Sequence, residues 1–167
     1  MTISKIVDYY DLGLLVESLR KLGGNVVLVG GCFDILHVGH IRFLNRAKEQ
    51  GDFLVVALES DEKTRRIKGE LRPINTQDIR AEILANLSMV DFVLKLDPNL
   101  TDADYLDFTK RVAPKVLAVS EATTPEQKAG NYQIQMVASL IGAKFLEVTE
   151  VIKGFSTSRL ARELGME

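Results

Sequence analysis

The chain has one cysteine in 167 residues, Cys32, so it forms no intramolecular disulfide. It has no basic block longer than "TRR" or "RRIK". Its 21 Lys and Arg and 23 Asp and Glu are scattered, for a formal charge of -2, which argues against a nucleic-acid partner or a membrane surface. No apolar run approaches the ~20 residues that span a bilayer. The start, "MTISKIVDYYDLG", lacks the charged segment, apolar stretch and cleavage site of a signal peptide, so a cytoplasmic location is expected. Internal repeats, low-complexity tracts and domain linkers are also missing. The expectation is a single domain over 1–167, with a helical extension at 1–24 and a core at 25–167. At 46% hydrophobic residues, the chain has enough apolar surface to bury that core.

Histidine is scarce too, and its placement is informative. Both histidines, His37 and His40, fall within "GGCFDILHVGHIRFL", residues 30–44. This stretch follows "NVVLV", one of five short branched apolar runs; the others are "FLVVAL", "DFVLKL", "KVLAV" and "AKFLEV". Each is too short for an independent helix, and helical patterns lie between them. Leu12, Leu15, Val16, Leu19 and Leu22 predict a first helix after a cap at Asp11, stopped by Gly23 and Gly24. Further helices are predicted at 38–50, 76–87, 101–112, within 125–140 and at 156–164. The alternation predicts an α/β fold, a Rossmann-like doubly wound parallel sheet covered on both faces. In such sheets the ligand lies beyond the carboxyl ends of the strands, where helix N-termini point, and the histidine stretch occupies that location.

Gly30 and Gly31 leave the strand end without side-chain bulk, so backbone amides can approach a phosphate in front of the following helix. With a helix starting near Val38, His37 lies at its cap and His40 in its first turn, and Gly39 between them keeps that face open. Paired imidazoles there can donate hydrogen bonds to phosphate oxygens and stabilise charge developing at phosphorus. Two other readings stand beside this one. Histidine at a helix start also serves as a cap or packing residue, and Cys32, Asp34, His37 and His40 could form a metal site. No second ligand cluster completes a familiar zinc spacing, so no protein-held metal is expected. Cys32 is expected to pack beneath the motif, with no base placed to make it a nucleophile.

"GCFDILHVGH" resembles the signature of the HxGH nucleotidyltransferases, the cytidylyltransferase-like family. "ESDEKTRRIKGELRPINTQDIRAEILANLSMVDFVL", residues 59–94, resembles the heptose 1-phosphate adenylyltransferases, and "KGFSTSRL", residues 153–160, is similar to their closing serine/threonine motif. The resemblance implies nucleotidyl transfer from a nucleoside triphosphate to a phosphate monoester, with pyrophosphate released and no covalent enzyme intermediate. It implies that His37 and His40 contact the triphosphate and stabilise the transition state, and that Asp34 orients the acceptor or a histidine. Lys68 would neutralise phosphate charge and Arg80 would reach the triphosphate. Gly31, Cys32, Phe33, Gly39, Ser120, Phe155, Ser156 and Thr157 would line the nucleotide site. Magnesium would shield the departing pyrophosphate, and two chains would form a homodimer. Structural alternatives accompany these roles: a turn cap for Asp34, a solvated charge for Lys68, a helix-face ion pair for Arg80 with Asp78 or Glu82, and an ordinary cap for "FSTS".

The pattern breaks at residues 119–123. Heptose enzymes carry a lysine-glycine-glycine-aspartate-tyrosine block there, whereas this chain has Val119, Ser120, Glu121, Ala122 and Thr123. "VSEAT" is similar to a segment of some phosphopantetheine adenylyltransferases, so the acceptor need not be a heptose phosphate, and Glu121 is placed next to it. Glycerol 3-phosphate cytidylyltransferases carry an arginine before the final motif, where this chain has Val151 and Lys153, which favours ATP over CTP. A CTP enzyme acting on an alditol phosphate, a phosphopantetheine adenylyltransferase-like enzyme and a non-catalytic nucleotide sensor are the alternatives.

Overall fold

The computed structural model describes residues 4–149 together with Gly165. The expected final helix at 156–164 and the site residues Phe155, Ser156 and Thr157 lie outside the described residues. Within them the chain forms six strands: β1 (Ile6–Asp8), β2 (Val26–Gly31), β3 (Phe53–Leu58), β4 (Phe92–Lys95), β5 (Val116–Ser120) and β6 (Lys144–Thr149). Six α-helices accompany them: α1 (Leu12–Leu22), α2 (Val38–Lys48), α3 (Asp61–Lys68), α4 (Gln77–Ala85), α5 (Asp102–Val112) and α6 (Pro125–Ile141). All strand pairs are parallel, in the order β1-β4-β3-β2-β5-β6.

Helices cover both faces of this sheet, as the alternating pattern predicts. On one face Leu28, Val55, Ala57 and Leu94 pack against Leu15 and Leu19 of α1 and Phe108 and Val112 of α5. On the other, Val27, Val29, Leu54, Val56 and Leu58 meet Phe43, Leu44 and Ala47 of α2 and Ala81 and Leu84 of α4. Successive strand residues point to opposite faces, so strands buried on both sides become continuous apolar runs rather than alternating ones.

The central strand β2 pairs with β3 on one side and β5 on the other. The chain winds outward through β3 and β4, then crosses back over β2 to β5. The connections leaving the carboxyl ends of β2 and β5 therefore diverge, opening a crevice at the switch point. The histidine stretch leaves β2 at that crevice.

Two elements depart from the sequence expectations. Residues 6–8, placed within a helical extension, form an edge strand that pairs with β4, with Val7 buried and Lys95 Nζ 2.8 Å from Asp8 Oδ1. Three residues are too few for a periodicity to show. Helix α3, unpredicted, reads DEKTRRIK, and only Thr64 of it is buried. It is set by the Ser60 cap, whose Oγ accepts from Lys63 N at 3.1 Å, and by acidic residues at its start and basic ones at its end, complementing the helix dipole.

Candidate active site

The motif is shaped by a sharp reversal after β2. Phe33 adopts φ 44°, a left-handed conformation uncommon outside glycine, and its ring packs 5.4 Å from that of His40 and 6.5 Å from that of Phe43. Gly31 is required beneath it, because a Cβ there would lie 2.9 Å from the Phe33 ring.

This reversal drives Asp34 inward, where it is 3% exposed. Its carboxylate accepts from Arg72 Nε at 2.6 Å, from Ile74 N at 2.9 Å and from Asn75 N at 3.0 Å, and its carbonyl accepts from Asn75 Nδ2 at 3.1 Å. Asp34 thus ties the 72–75 loop to the motif rather than orienting a histidine; among the described residues all its partners belong to that loop. The Thr76 cap of α4 follows directly, accepting from Ile79 N.

His37 caps α2, as the sequence predicts, through a reciprocal arrangement. Its Nδ1 accepts from Gly39 N at 3.1 Å, and its own backbone N–H donates to His40 Nδ1 at 3.4 Å. The rings stack with centroids 4.0 Å apart and planes inclined by 29°. An imidazole whose Nδ1 accepts a hydrogen bond carries its proton on Nε2 when neutral. Both rings therefore present Nε2–H donors on the edge away from the helix backbone. Gly39 keeps the pair in place, since a Cβ there would lie 2.8 Å from His37 Cε1.

Burial lowers the His37 pKa below the usual histidine value. Burial first, then the neighbouring His37 and Lys68, lowers that of His40 to about 4. The rings are thus neutral donors at neutral pH. The unfolded chain binds a proton near pH 6.5, whereas the folded His40 site does so only near pH 4. Stability is therefore lost as pH falls from 6.5 through the folded value, on the order of 3 kcal/mol in all, which is the cost of charging the buried ring and is not incurred at pH 7. Urea midpoints at pH 7 and pH 4.5 should differ less in His40→Asn than in the unsubstituted protein. An identical difference would show that His40 is not depressed.

The other expected site residues divide. Lys68, the last residue of α3, is exposed, and its charge acts on both His40 and Cys32, so α3 delivers it to the motif. Cys32 is half-buried and its thiol is pushed up, chiefly by burial, which fits packing beneath the motif. Arg80, expected to reach the triphosphate, is 0% exposed. It donates to the carbonyls of Asn75 (3.0 Å), Glu59 (2.9 Å) and Cys32 and to Asp61 Oδ1 (2.7 Å). With four of its five N–H donors used internally, it clamps the ends of β2 and β3 together under the site. Neither Asp78 nor Glu82 is its partner.

Ser120 ends β5, and Glu121 follows it, across the crevice from the motif strand. The Ser120 carbonyl accepts from Asn131 Nδ2 at 3.0 Å, and Glu121 N donates to the Thr149 carbonyl at 2.9 Å. Among the described residues, Glu121, Glu147, Val148 and Thr149 line a cavity of about 360 Å³ there. No group of three or more His, Cys, Asp or Glu among the described residues could hold a metal ion. No helix among them is long and apolar enough to cross a membrane.

The sequence matches the cytidylyltransferase-like family over residues 28–163, most of its length and all of the geometry above. The chain belongs to that family. It is thereby placed among the nucleotidyltransferases, as the motif resemblance implied. It is 36% identical over 159 residues to the bifunctional protein HldE of a Nitratiruptor species, covering 95% of this chain and 32% of the relative. The bifunctional protein HldE of Wolinella succinogenes is 37% identical over 160 residues, covering 96% of this chain and 31% of the relative. The chain thus spans about a third of the length of these relatives. Among solved structures, the lipopolysaccharide core biosynthesis protein of Thermoplasma volcanium superposes with a TM-score of 0.57 at 24% identity, covering 80% of this chain and 100% of that one. Pantoate-beta-alanine ligase of Francisella tularensis superposes with a TM-score of 0.61 at 18% identity, covering 89% and 68%. At those identities the superpositions show a shared fold alone.

Three structural participants were not singled out from the sequence. Arg72 and Asn75 lie in the "RPIN" block, whose resemblance is visible but whose pairing with Asp34, about forty residues earlier, is not. Glu59 follows β3 in a local sequence indistinguishable from a solvated helix start.

Proposed function

We propose that this cytidylyltransferase-like chain transfers a nucleotidyl group from a nucleoside triphosphate, ATP in preference to CTP, to a phosphate monoester. A phosphate oxygen of the acceptor attacks the α-phosphorus, the bond from that phosphorus to the bridging oxygen breaks, and pyrophosphate leaves. No enzyme nucleophile takes part.

The observation carrying this reading is the pair of neutral, Nδ1-anchored imidazoles at the N-terminus of α2 in the switch-point crevice. Their Nε2–H groups and the helix dipole stabilise negative charge gathering on the phosphates. Lys68 adds a cation, Gly31 and Gly39 keep the approach open, and Cys32 and Phe33 form the floor. Asp34 and Arg80 act by holding that floor rather than by touching substrate. Ser120 and, by the motif resemblance, Phe155, Ser156 and Thr157 would serve the nucleotide. Magnesium brought by the nucleotide would supply positive charge against the departing pyrophosphate; residues suited to an all-protein cage are not found in the described part of the chain, and Mg²⁺ ordinarily rests on substrate phosphates. Two chains associate as a homodimer, as the resemblance implies.

The acceptor is a sugar phosphate, heptose 1-phosphate or a relative of it. At the β5 end a carboxylate, Glu121, repels a phosphate but accepts hydrogen bonds from hydroxyls. Pyrophosphate release measured with ATP or CTP, magnesium and a panel of phosphate monoesters tests the whole reading. Release with ATP above CTP is expected, and Glu121→Gly should alter the acceptor profile more than ATP affinity. Nucleotide binding without release would make the chain a sensor. Equal use of ATP and CTP, or an unaltered profile in Glu121→Gly, would remove the corresponding half.

A further inference from the structure

Strands β5 and β6 fall out of step at their carboxyl ends. Val119 pairs with Glu147 but Ser120 pairs with Thr149, so Val148 is an extra residue on β6, a β-bulge. Glu147, Val148 and Thr149 at the bulge are the residues that line the 360 Å³ cavity with Glu121. A bulge leaves its extra residue unpaired and loosens the ladder where it sits. Asn131 of α6 spans that loosened point. Its Nδ2 donates to the Ser120 carbonyl of β5 at 3.0 Å and to Glu147 Oε1 of β6 at 3.2 Å, using both amide hydrogens. The peptide joining Ser120 to Glu121 is thereby held at both ends, its carbonyl by Asn131 and its N–H by the Thr149 carbonyl at 2.9 Å.

Packing alone would not choose asparagine at 131. Ile134, Val137, Ala138 and Ile141 of α6 pack against the sheet, and Asn131 occupies the same stripe at helical spacing, one turn before Ile134 and two before Ala138. Leucine there would extend the stripe and suit a helix interior better, since asparagine is among the weaker helix formers. The amide instead ties the helix to the two strand ends. On the reading above in which Glu121 meets the acceptor, we propose that Asn131 is a positioning residue for that acceptor. It fixes the peptide on which Glu121 is carried, with Glu147 anchoring its amide from the β6 side, and so sets where Glu121 stands. A group displaced by even an ångström loses much of its hold on a bound reactant while the fold stays intact. The role belongs to this chain in particular, because it acts at residues 119–123, where the sequence departs from the heptose enzymes.

Asn131→Leu tests this, because packing and helix propensity both predict that the variant folds at least as well as the unsubstituted protein. Transfer is measured with ATP and magnesium on hexose 1-phosphates, heptose 1-phosphate and glycerol 3-phosphate, taking whichever the unsubstituted protein uses best. Asn131→Leu should raise the KM for that acceptor ~3- to 10-fold, the effect of a lost hydrogen bond, with kcat and the KM for ATP within about twofold. Its urea midpoint should not fall. In Glu121→Gly, which lacks the side chain being placed, adding Asn131→Leu should change little, so the combined loss falls well short of the product of the single losses. Asn131→Ala, which removes the amide with a good helix former, decides the matter if leucine is not accommodated. An unchanged acceptor KM in the folded variants overturns this inference alone. So do losses that multiply, or a lowered midpoint with an equal loss toward ATP, which would mark Asn131 as a structural tie only. An unaltered acceptor profile in Glu121→Gly overturns the reading of Glu121 and this inference with it. An unsubstituted protein that transfers to no phosphomonoester overturns the nucleotidyl-transfer reading as well.

Discussion

Replacing His40 or His37 with alanine is expected to lower turnover ~100-fold or more, because groups aimed at developing charge in a site with little water are worth ~3 to 4 kcal/mol each. The structure limits what the same substitutions do to folding. His37 caps α2 by accepting from Gly39 N, so its loss should cost about 1 kcal/mol, typical of a cap. His40 stands half-buried in the first turn, bonded to the His37 backbone at the long distance of 3.4 Å. The large effect on rate and the small effect on stability separate the catalytic role from the capping one. His37→Asn sharpens the comparison, since asparagine is among the best caps and should restore stability but not turnover. Steady-state rates with a productive acceptor, set beside urea midpoints, check it. Full turnover in both folded alanine variants would leave the pair as a cap and nothing more.

Asp34→Ala is expected to reverse that balance, destabilising the fold by roughly 3 to 5 kcal/mol, as for a buried ion pair stripped of one partner. The Asp34 and Arg72 side chains are each 1% exposed, so neither finds water when the other is removed. Three donors, Arg72 Nε, Ile74 N and Asn75 N, would lose their acceptor at once. Among the described residues Arg72 Nη1 is already buried without a partner. Turnover should fall as well, because the loop that Asp34 holds leads into α4, whose Arg80 clamps the strand ends below the histidines. Asp34→Leu combined with Arg72→Leu should cost less than the sum of the single changes, since removing both charges strands neither. Urea unfolding of the four proteins measures it. A loss below about 1 kcal/mol for Asp34→Ala would show that the loop is held by other contacts.

Much of this protein is legible along the chain because it rests on local patterns. The five branched apolar runs are β2 to β6 within a residue or two, since a strand buried on both faces has no polar alternate to disguise it. Thr101 and Pro125 mark helix starts by capping chemistry that acts over four residues. His37 as cap and His40 as third helical residue follow from spacing alone, and so does the glycine between them. What the tertiary structure alone decides depends on residues far apart in sequence. β1 exists because β4 offers it an unpaired edge, not because three residues favour a strand. The burial of Arg80, the removal of Asp34 from the histidines to Arg72 and the fixing of Glu59 by Tyr105, forty-six positions away, all arise where loops from separate strands converge. A charged side chain has the same identity whether it faces substrate or a buried partner. Only packing, which sets the distance to the partner and the access of water, determines which of the two it does.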